Sequence, residues 1–153
     1  MNTMMKKIVG YVGLIMSLTW VSQAATRTWT NDVGDATGRF SVPANWAEGV
    51  APVNNDLLVF GPTPTANTTL TNDLPIGTIY LNTTTFNSDA PAYTIGGNNL
   101  TGNSGTASPW TSYSFVVNSA NNITQTINNN ITAHQNAIGV SGSGNLTLGG
   151  DNH

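Results

Sequence analysis

The acidic stretch at residues 31–38 contains residue types that could bind a metal ion. It reads NDVGDATG and places Asp32 and Asp35 among glycines, where carboxylate and backbone carbonyl oxygens suit a hard cation such as Ca²⁺. Its spacing differs from the calcium-binding loop of an EF-hand, which also requires a glutamate at its end. Gly149-Gly150-Asp151 likewise lacks the spacing of the Ca²⁺-binding nonapeptide repeat. The pattern therefore predicts a turn rich in Asn and Asp, and we expect no metal ion or other cofactor.

Catalysis requires acidic or basic side chains held close together, and the second half of the chain has few. No Asp or Glu occurs between Ala90 and Gly150, and His134 stands alone among Asn and Thr. A polysaccharide hydrolase or lyase built on this region would lack its carboxylate pair. The sequence GVSG at residues 139–142 also differs from the GxSxG elbow of serine hydrolases. We therefore predict that the protein has no catalytic residues and is not an enzyme.

Aromatic side chains offer flat, amphipathic faces that suit the packing of sugar rings. Trp29 and Trp46 lie in the opening block of the chain, where we expect them to be buried. Trp110 follows Pro109 in a polar loop, and Tyr113 comes shortly after it. Trp110 and Tyr113 are therefore the candidate residues for contact with a glycan.

Residues 1–24 have the three parts of a Sec-type signal peptide. Two lysines supply a positive charge, residues 8–20 form an apolar core, and Ser-Gln-Ala at 22–24 provides a cleavage site before Ala25. The apolar run is shorter than a membrane-spanning helix requires. We therefore expect export to the cell surface or the extracellular space.

The charge that remains after removal of this peptide is acidic. Arg27 and Arg39 are then the only Lys or Arg residues, against seven Asp and Glu residues. Such a chain cannot neutralise a phosphate backbone, so we expect no nucleic-acid partner. It also contains no cysteine, so its stability must come from packing and backbone hydrogen bonds rather than from disulfides.

Alternation of apolar and polar residues predicts an all-β fold. Residues 137–151 show the alternation best, with a Gly-Ser-Gly corner at 142–144 between two extended segments. A unit of this size cannot bury its apolar face alone, so we expect similar units stacked above and below it. Its apolar residues share one face: Ile138, Val140, Leu146 and Leu148.

Other short runs predict strands in the same way, whereas residues 61–72 read as a connection rich in Pro, Thr and Asn. The isoleucines of residues 122–131 are spaced by four, which fits either a helix or every second inward position of an extended chain. Their Asn and Thr neighbours favour a strand, a corner and a second strand. The other predicted strands lie at residues 56–60, 76–82, 92–96 and 113–117.

The chain thus divides into three parts. We expect residues 1–24 to form the signal peptide, residues 25–61 an N-terminal cap block, and residues 62–153 degenerate rungs of a β-solenoid that is truncated at its C-terminus. Large aromatic side chains in an atypical first unit would cover the apolar cross-section that a solenoid end exposes.

Several motifs follow one another in an order that carries a family resemblance. Trp29 lies near the start of the mature chain, and Asn45-Trp46 precedes Pro52 and the strand at 56–60. Three further motifs are GTIYLN at 77–82, YTIGGNNL at 93–100 and GSGNLTLGGDN at 142–152. This order resembles that of bacterial exported proteins with autotransporter-associated β-strand repeats.

The resemblance implies a right-handed parallel β-helix passenger on or outside the cell surface. It also implies a C-terminal translocator or envelope anchor, which we expect to be missing from this sequence. It carries over no catalytic residue.

Two functional hypotheses follow. The first is a non-catalytic secreted or cell-surface structural or adhesive protein, whose partner is a glycan or the surface of a host or neighbouring cell. The second is an extracellular carbohydrate-binding or carbohydrate-active β module, whose structural version is an antiparallel β-sandwich. The solenoid would stack four residues in one column between parallel rungs, whereas the sandwich would divide them between facing sheets: Ile79, Ile95, Ile127 and Leu146.

Overall fold

The structure, a computed structural model, describes residues 24–31, 38–62, 67–76, 80–102, 113–132 and 138–151. The predicted signal peptide lies, apart from Ala24, outside these ranges. Regular structure in the described residues consists of short β-strands and one 3₁₀ turn at Pro43–Asn45. The strands are β1 (Thr26–Trp29), β2 (Leu57–Phe60), β3 (Thr69–Asn72), β4 (Thr83–Phe86), β5 (Thr94–Gly97), β6 (Leu100–Thr101), β7 (Tyr113–Val117), β8 (Thr124–Ile127), β9 (Ile131–Thr132), β10 (Ile138–Ser141) and β11 (Asn145–Leu148).

Five of these strands form one sheet, the first sheet, in the order β1-β2-β4-β7-β10. Its inner face carries a column of large apolar side chains in register, and all of them are buried. Trp29 lies opposite Phe60, Phe60 opposite Phe86, and Phe86 opposite Val117. The first sheet therefore supplies one wall of the core.

The second sheet has the order β11-β8-β5-β3, and a third sheet pairs β6 with β9. Along the chain, strands of the first, second and third sheets follow one another in a repeated order: β4, β5 and β6, and then β7, β8 and β9. We call each such set of consecutive strands a pass. Each strand of a new pass lies beside the corresponding strand of the previous pass. The described chain is thus a series of passes stacked on one another.

Strand direction decides between the two expected architectures. Every ladder between named strands in the described ranges is parallel. The antiparallel contact found there is an isolated bridge between Trp29 and Trp46. The prediction of an all-β fold with parallel pairing is confirmed, and the alternative of an antiparallel β-sandwich is wrong.

The second sheet contributes an aliphatic column to the core. Leu70 pairs with Ile95 and Ile95 pairs with Ile127, and each of these side chains is at most 1% exposed. Because Ile127 pairs with Leu148, the column continues into β11. The expected stacking of Ile95 on Ile127 is therefore confirmed.

The expected position of Leu146 in this column is wrong. Leu146 lies opposite Gln125, one inward position before Ile127. Side chains alternate along a strand with a period of two, so Leu146 and Leu148 share a face and the sequence pattern alone does not separate them. Ile79, the fourth residue of the predicted column, lies outside the described residues.

Strands β3 and β4 lie where the sequence predicted none, as does the two-residue strand β6 (Leu100–Thr101). β3 falls in the expected connection at 61–72, and β4 begins just after the expected strand at 76–82, of which Leu81 makes only an isolated bridge to Gly102. Strands β3 and β4 are dominated by threonine, with few large apolar residues to mark them. Because threonine is β-branched, it favours extended backbone even where hydrophobic alternation is weak.

Four aromatic rings pack together near the N-terminal end: Trp29, Phe40, Trp46 and Phe60. Their centroids lie 5.1 to 6.2 Å apart. The indole Nε1 of Trp46 donates a hydrogen bond of 2.8 Å to the carbonyl oxygen of Phe40. The predicted burial of Trp29 and Trp46 is confirmed, because they are 1% and 2% exposed.

Buried asparagines connect neighbouring passes where the second-sheet strands end. Asn72 and Asn129 are 3% and 1% exposed. Their Nδ2 atoms donate to the same acceptor, the carbonyl oxygen of Asn98, over 2.9 Å and 2.7 Å. Asn98 follows β5, which lies between β3 and β8 in the sheet. These bonds therefore hold three successive passes in register.

In the passes that alternate with those of Asn72 and Asn129, the equivalent corner position, at or just after the end of the second-sheet strand, is a glycine. Gly97 pairs with Asn72 and has a φ of +98°, which residues with a Cβ rarely adopt. A Cβ on Gly97 would overlap the carbonyl oxygen of Asn72, and one on Gly150 would overlap that of Asn129. The corner thus alternates between an asparagine that reaches inward and a glycine that lets the next pass come close.

Candidate interaction surface

One threonine per pass forms a continuous column on the outside of the second sheet. Thr69 pairs with Thr94, Thr94 with Thr126, and Thr126 with Thr147. Thr69 and Thr147 are exposed, whereas Thr94 and Thr126 are partly exposed. Adjacent strands in a sheet lie about 4.8 Å apart, so the column presents a hydroxyl and a methyl group at that interval. We call these four residues the threonine face.

The core on the opposite side of the same strands positions the threonine face. Each of its residues immediately precedes an inward aliphatic residue, as Thr94 precedes Ile95 and Thr126 precedes Ile127. Burial of Ile95 and Ile127 turns the preceding threonines outward because successive side chains point to opposite faces. The surface therefore repeats for as long as the core column repeats.

The first sheet presents a different outer column. Thr28 pairs with Val59, Val59 with Thr85, Thr85 with Val116, and Val116 with Ser141. Threonine and valine have similar shapes, so the two outer columns have similar contours. They differ in chemistry. Every described pass of the threonine face carries a hydroxyl, whereas in the first-sheet column threonine alternates with valine from Thr28 to Val116.

No ionisable residue occurs in the strands of the second sheet: TLTN, TIGG, TQTI and NLTL. The surface can therefore donate and accept hydrogen bonds through hydroxyls, and it can pack methyl groups, without carrying charge. This chemistry suits an uncharged polar partner.

Two acidic side chains in the first half of the described chain accept hydrogen bonds from backbone N–H groups. The Glu48 carboxylate accepts the N–H of Thr28 at 2.9 Å. Asp73 accepts the N–H of Ser41 at 2.8 Å and its hydroxyl at 2.6 Å. Both carboxylates therefore join segments that are distant in sequence, which is a structural task.

The acidic stretch at 31–38 contains the carboxylates that could bind a metal ion. Asp32 and Asp35 lie outside the described residues, so the predicted Asn/Asp turn stays a prediction. Within the ranges that the structure describes, no group of three or more His, Cys, Asp or Glu side chains is arranged to hold a metal ion. His134 also lies outside those ranges.

The expectation that Tyr113 contacts a glycan is wrong. Its side chain is fully buried in β7, and its hydroxyl lies 2.6 Å from the hydroxyl of Thr84 on the neighbouring strand. Burial raises the pKa of Tyr113 above its usual value, and the hydrogen bond to Thr84 opposes this shift. Trp110, the other candidate glycan contact, lies outside the described residues.

The strand at 113–117 was predicted, but the side chain of its first residue, Tyr113, was expected to be accessible beside the polar loop that precedes it. The alternation of that strand, YSFVV, points Tyr113, Phe115 and Val117 inward together. Sequence reasoning also missed the threonine face. Its signal is a threonine followed directly by Leu or Ile, which recurs once in every second-sheet strand.

Comparison with known proteins gives no match for this chain among protein-family models, curated proteins or solved structures. Among the residues that the structure describes, there is no helix of the length and hydrophobicity that crossing a membrane requires.

Proposed function

We propose that this chain is a non-catalytic, secreted or cell-surface structural and adhesive protein. It is built as a parallel β-helix with an N-terminal cap, as in the autotransporter-associated repeat proteins that its motifs resemble. The observation that carries the proposal is the threonine face, an uncharged column that recurs in each pass of the second sheet.

The β-helix is supported by the repeated order of the sheets and by the in-register columns. Leu70, Ile95 and Ile127 fill one side of the interior, and Phe60 and Phe86 fill the other. Each further pass would lengthen the stack by about 4.8 Å and leave its lateral surface unchanged. This geometry suits a protein that extends away from the cell envelope.

The cap is supported by the aromatic cluster. Trp29, the first residue of the first-sheet column, and Trp46 cover Phe60 on its N-terminal side, with ring centroids 6.2 Å from Phe60 in both cases. Without such a cover, the end of a stack of parallel strands would expose its apolar cross-section to water.

The partner of the threonine face in this proposal is a glycan on a neighbouring cell or in the surrounding matrix. Sugar hydroxyls can exchange hydrogen bonds with threonine hydroxyls, and both surfaces are uncharged. A single such contact is weak, but contacts repeated along a rigid stack add through their high effective concentration. The adhesion expected from this mechanism therefore increases with the number of passes.

Substitution on the two outer columns tests the proposal. The chain is displayed on cells that do not otherwise adhere, and their retention on glycan-coated surfaces is measured under flow. The double substitution Thr94→Val and Thr126→Val removes two hydroxyls from the threonine face with little change of shape. The matched control is Thr85→Val, which extends an outer column that already contains Val59 and Val116.

Retention is expected to fall several-fold for the double variant and to be unchanged for Thr85→Val. Melting temperatures are measured in parallel, and we expect both variants to match the parent. Equal retention of all three proteins would contradict an adhesive role of the threonine face. Release of soluble sugar from the surface by the parent protein would contradict the non-catalytic assignment.

A further inference from the structure

The backbone nitrogen of Ala25 lies against a buried carboxylate. It donates a hydrogen bond of 3.1 Å to Oδ1 of Asp56, which is fully buried. The second oxygen, Oδ2, accepts the Nε–H of Arg27 at 2.6 Å and the N–H of Val53 at 2.9 Å. One of the three donors to this carboxylate therefore belongs to the residue that would follow the predicted cleavage site.

The position of Ala25 is fixed from both sides. Its nitrogen contacts Asp56, and its carbonyl oxygen accepts the N–H of Leu57 at 2.8 Å. Ala24, which precedes it, is exposed. The backbone between these two residues therefore passes from solvent into a site shaped around the Asp56 carboxylate.

Removal of the signal peptide would change the charge at this site. A signal peptidase hydrolyses the Ala24–Ala25 peptide bond with one water molecule, so that Ala24 gains a carboxylate and Ala25 gains an amino group. At neutral pH that amino group takes up a proton and becomes an ammonium ion. A buried carboxylate is costly unless opposite charge and donors surround it, and an ammonium group supplies both.

We propose that cleavage between Ala24 and Ala25 creates an α-ammonium group that docks on Asp56 and fastens β1 to β2. This inference rests on the export that the proposed function includes. Among the described residues, the charged group bonded to the Asp56 carboxylate is the Arg27 guanidinium, on the other oxygen, and the nearest acidic contact along β1 is the Glu48 carboxylate on the N–H of Thr28. The processed end of the chain thus becomes part of the fold.

The sequence allows a selective test, because both lysines lie in the signal peptide, at positions 6 and 7. The α-amino group is therefore the only primary amine of the mature protein. The full chain is expressed with export, the secreted protein is purified, and its intact mass is determined. It is then treated with N-hydroxysuccinimide acetate at pH 7, and the rate of acetylation is followed by mass spectrometry.

The control is a variant with one glycine inserted between Ala24 and Ala25. Its amino group is displaced from Asp56, while Ala25 keeps its N–H as an ordinary amide. We expect acetylation of the parent to be about tenfold slower than that of the insertion variant, because a neighbouring carboxylate favours the unreactive ammonium form. Acetylation should also lower the melting temperature of the parent and leave that of the insertion variant unchanged.

A second pair of variants provides an independent measurement. Asp56→Asn should remove the protection of the amine, whereas Asp89→Asn, at an exposed carboxylate, should leave it intact. If Asp56→Asn fails to fold, the insertion variant still decides the question.

The outcomes separate this inference from the proposed function. A secreted protein that begins at Ala25 with a protected amine supports the docking. A secreted protein that begins at another residue, or that reacts as fast as the insertion variant, overturns the docking and leaves export in place. A chain that keeps its leader and stays in the cytoplasm overturns both.

Discussion

The two ends of the described stack are held together in different ways. At the N-terminal end, four aromatic rings pack within 6.2 Å of one another, and the buried Asp56 carboxylate bonds to three separate donors. In β10, the last strand of the first sheet, Val140 is 56% exposed, and Ile138 is only partly buried. Fully buried aromatic side chains therefore stabilise the N-terminal end, whereas the apolar side chains of β10 are only partly covered.

Between these ends, the passes depend on small and polar residues at defined positions. Asn72 and Asn129 bond across the stack to Asn98, and Gly97 permits close approach at the matching corner. Such contacts determine the register of the passes, and they fill little of the core volume. The comparison therefore predicts large losses of stability from side-chain truncation in the N-terminal cluster and position-specific losses in the middle.

The largest effect is expected from truncation of Trp46. Trp46→Ala should lower the free energy of unfolding by about 3–5 kcal/mol, because it removes a buried ring and leaves a cavity. Val140→Ala, at the other end, should change it by less than about 0.5 kcal/mol, since that side chain is largely in solvent. Chemical denaturation measures both values. Similar losses in the free energy of unfolding for the two variants would contradict the difference in packing between the two ends.

The next largest effect is expected at the glycine corner after β5. Gly97→Ala should cost about 2–3 kcal/mol, because the residue has a positive φ and its new methyl group would overlap the Asn72 carbonyl. The neighbouring Gly96 is the control, because a Cβ there meets no atom within 4 Å. Gly96→Ala should therefore be neutral or slightly stabilising. Thermal and urea melts that rank the two variants in the opposite order would contradict the close approach of the backbone at Gly97.

A smaller loss is expected from the buried asparagine after β8. Asn129→Val should lower the free energy of unfolding by about 1–2 kcal/mol, because it removes the 2.7 Å bond to Asn98. Thr147→Val, on the exposed outer side of β11, should have almost no effect. Hydrogen exchange adds a local readout, since loss of this bond should speed exchange in β5 and β8. Equal destabilisation by both substitutions would argue against the asparagine contact.

The response of stability to alkaline pH comes last, because it is almost absent near neutral pH. Burial raises the pKa of Tyr113, so its neutral form stabilises the folded state below the usual tyrosine pKa of about 10. As the pH rises above that value, the unfolded chain ionises first, and stability falls by about 1.4 kcal/mol per pH unit for this group. Absorbance of tyrosinate during unfolding follows the change. Tyr113→Phe should make the fall shallower, and an unchanged pH profile in that variant would exclude Tyr113 as its source.

Much of the fold could be predicted from local pattern. Strands β2, β5 and β7 lie at or within two residues of the predicted runs, and the corner at 142–144 separates β10 from β11 as expected. These segments combine apolar alternation with glycine or asparagine at their ends. Both signals act over a few residues, so the sequence shows them directly.

The remaining features depend on register between passes. Threonine-rich β3 and β4 carry a weak apolar signal, and the choice between Leu146 and Leu148 as the partner of Ile127 requires the pairing itself. Tyr113 looked accessible because it follows a polar loop, although its own strand turns it inward. The threonine face is visible in the sequence only once the four second-sheet strands are aligned.

Cross-linking between outer threonines tests the stack most directly, because the chain has no cysteine of its own. The double variant Thr94→Cys and Thr126→Cys places two thiols on adjacent strands, about 4.8 Å apart. The double variant Thr94→Cys and Thr147→Cys places them on β5 and β11, which β8 separates, at about twice that spacing. Dibromobimane becomes fluorescent only when it bridges two nearby thiols. Parallel stacking in this register predicts rapid bridging in the first variant and little in the second, whereas preferential bridging in the second would contradict it.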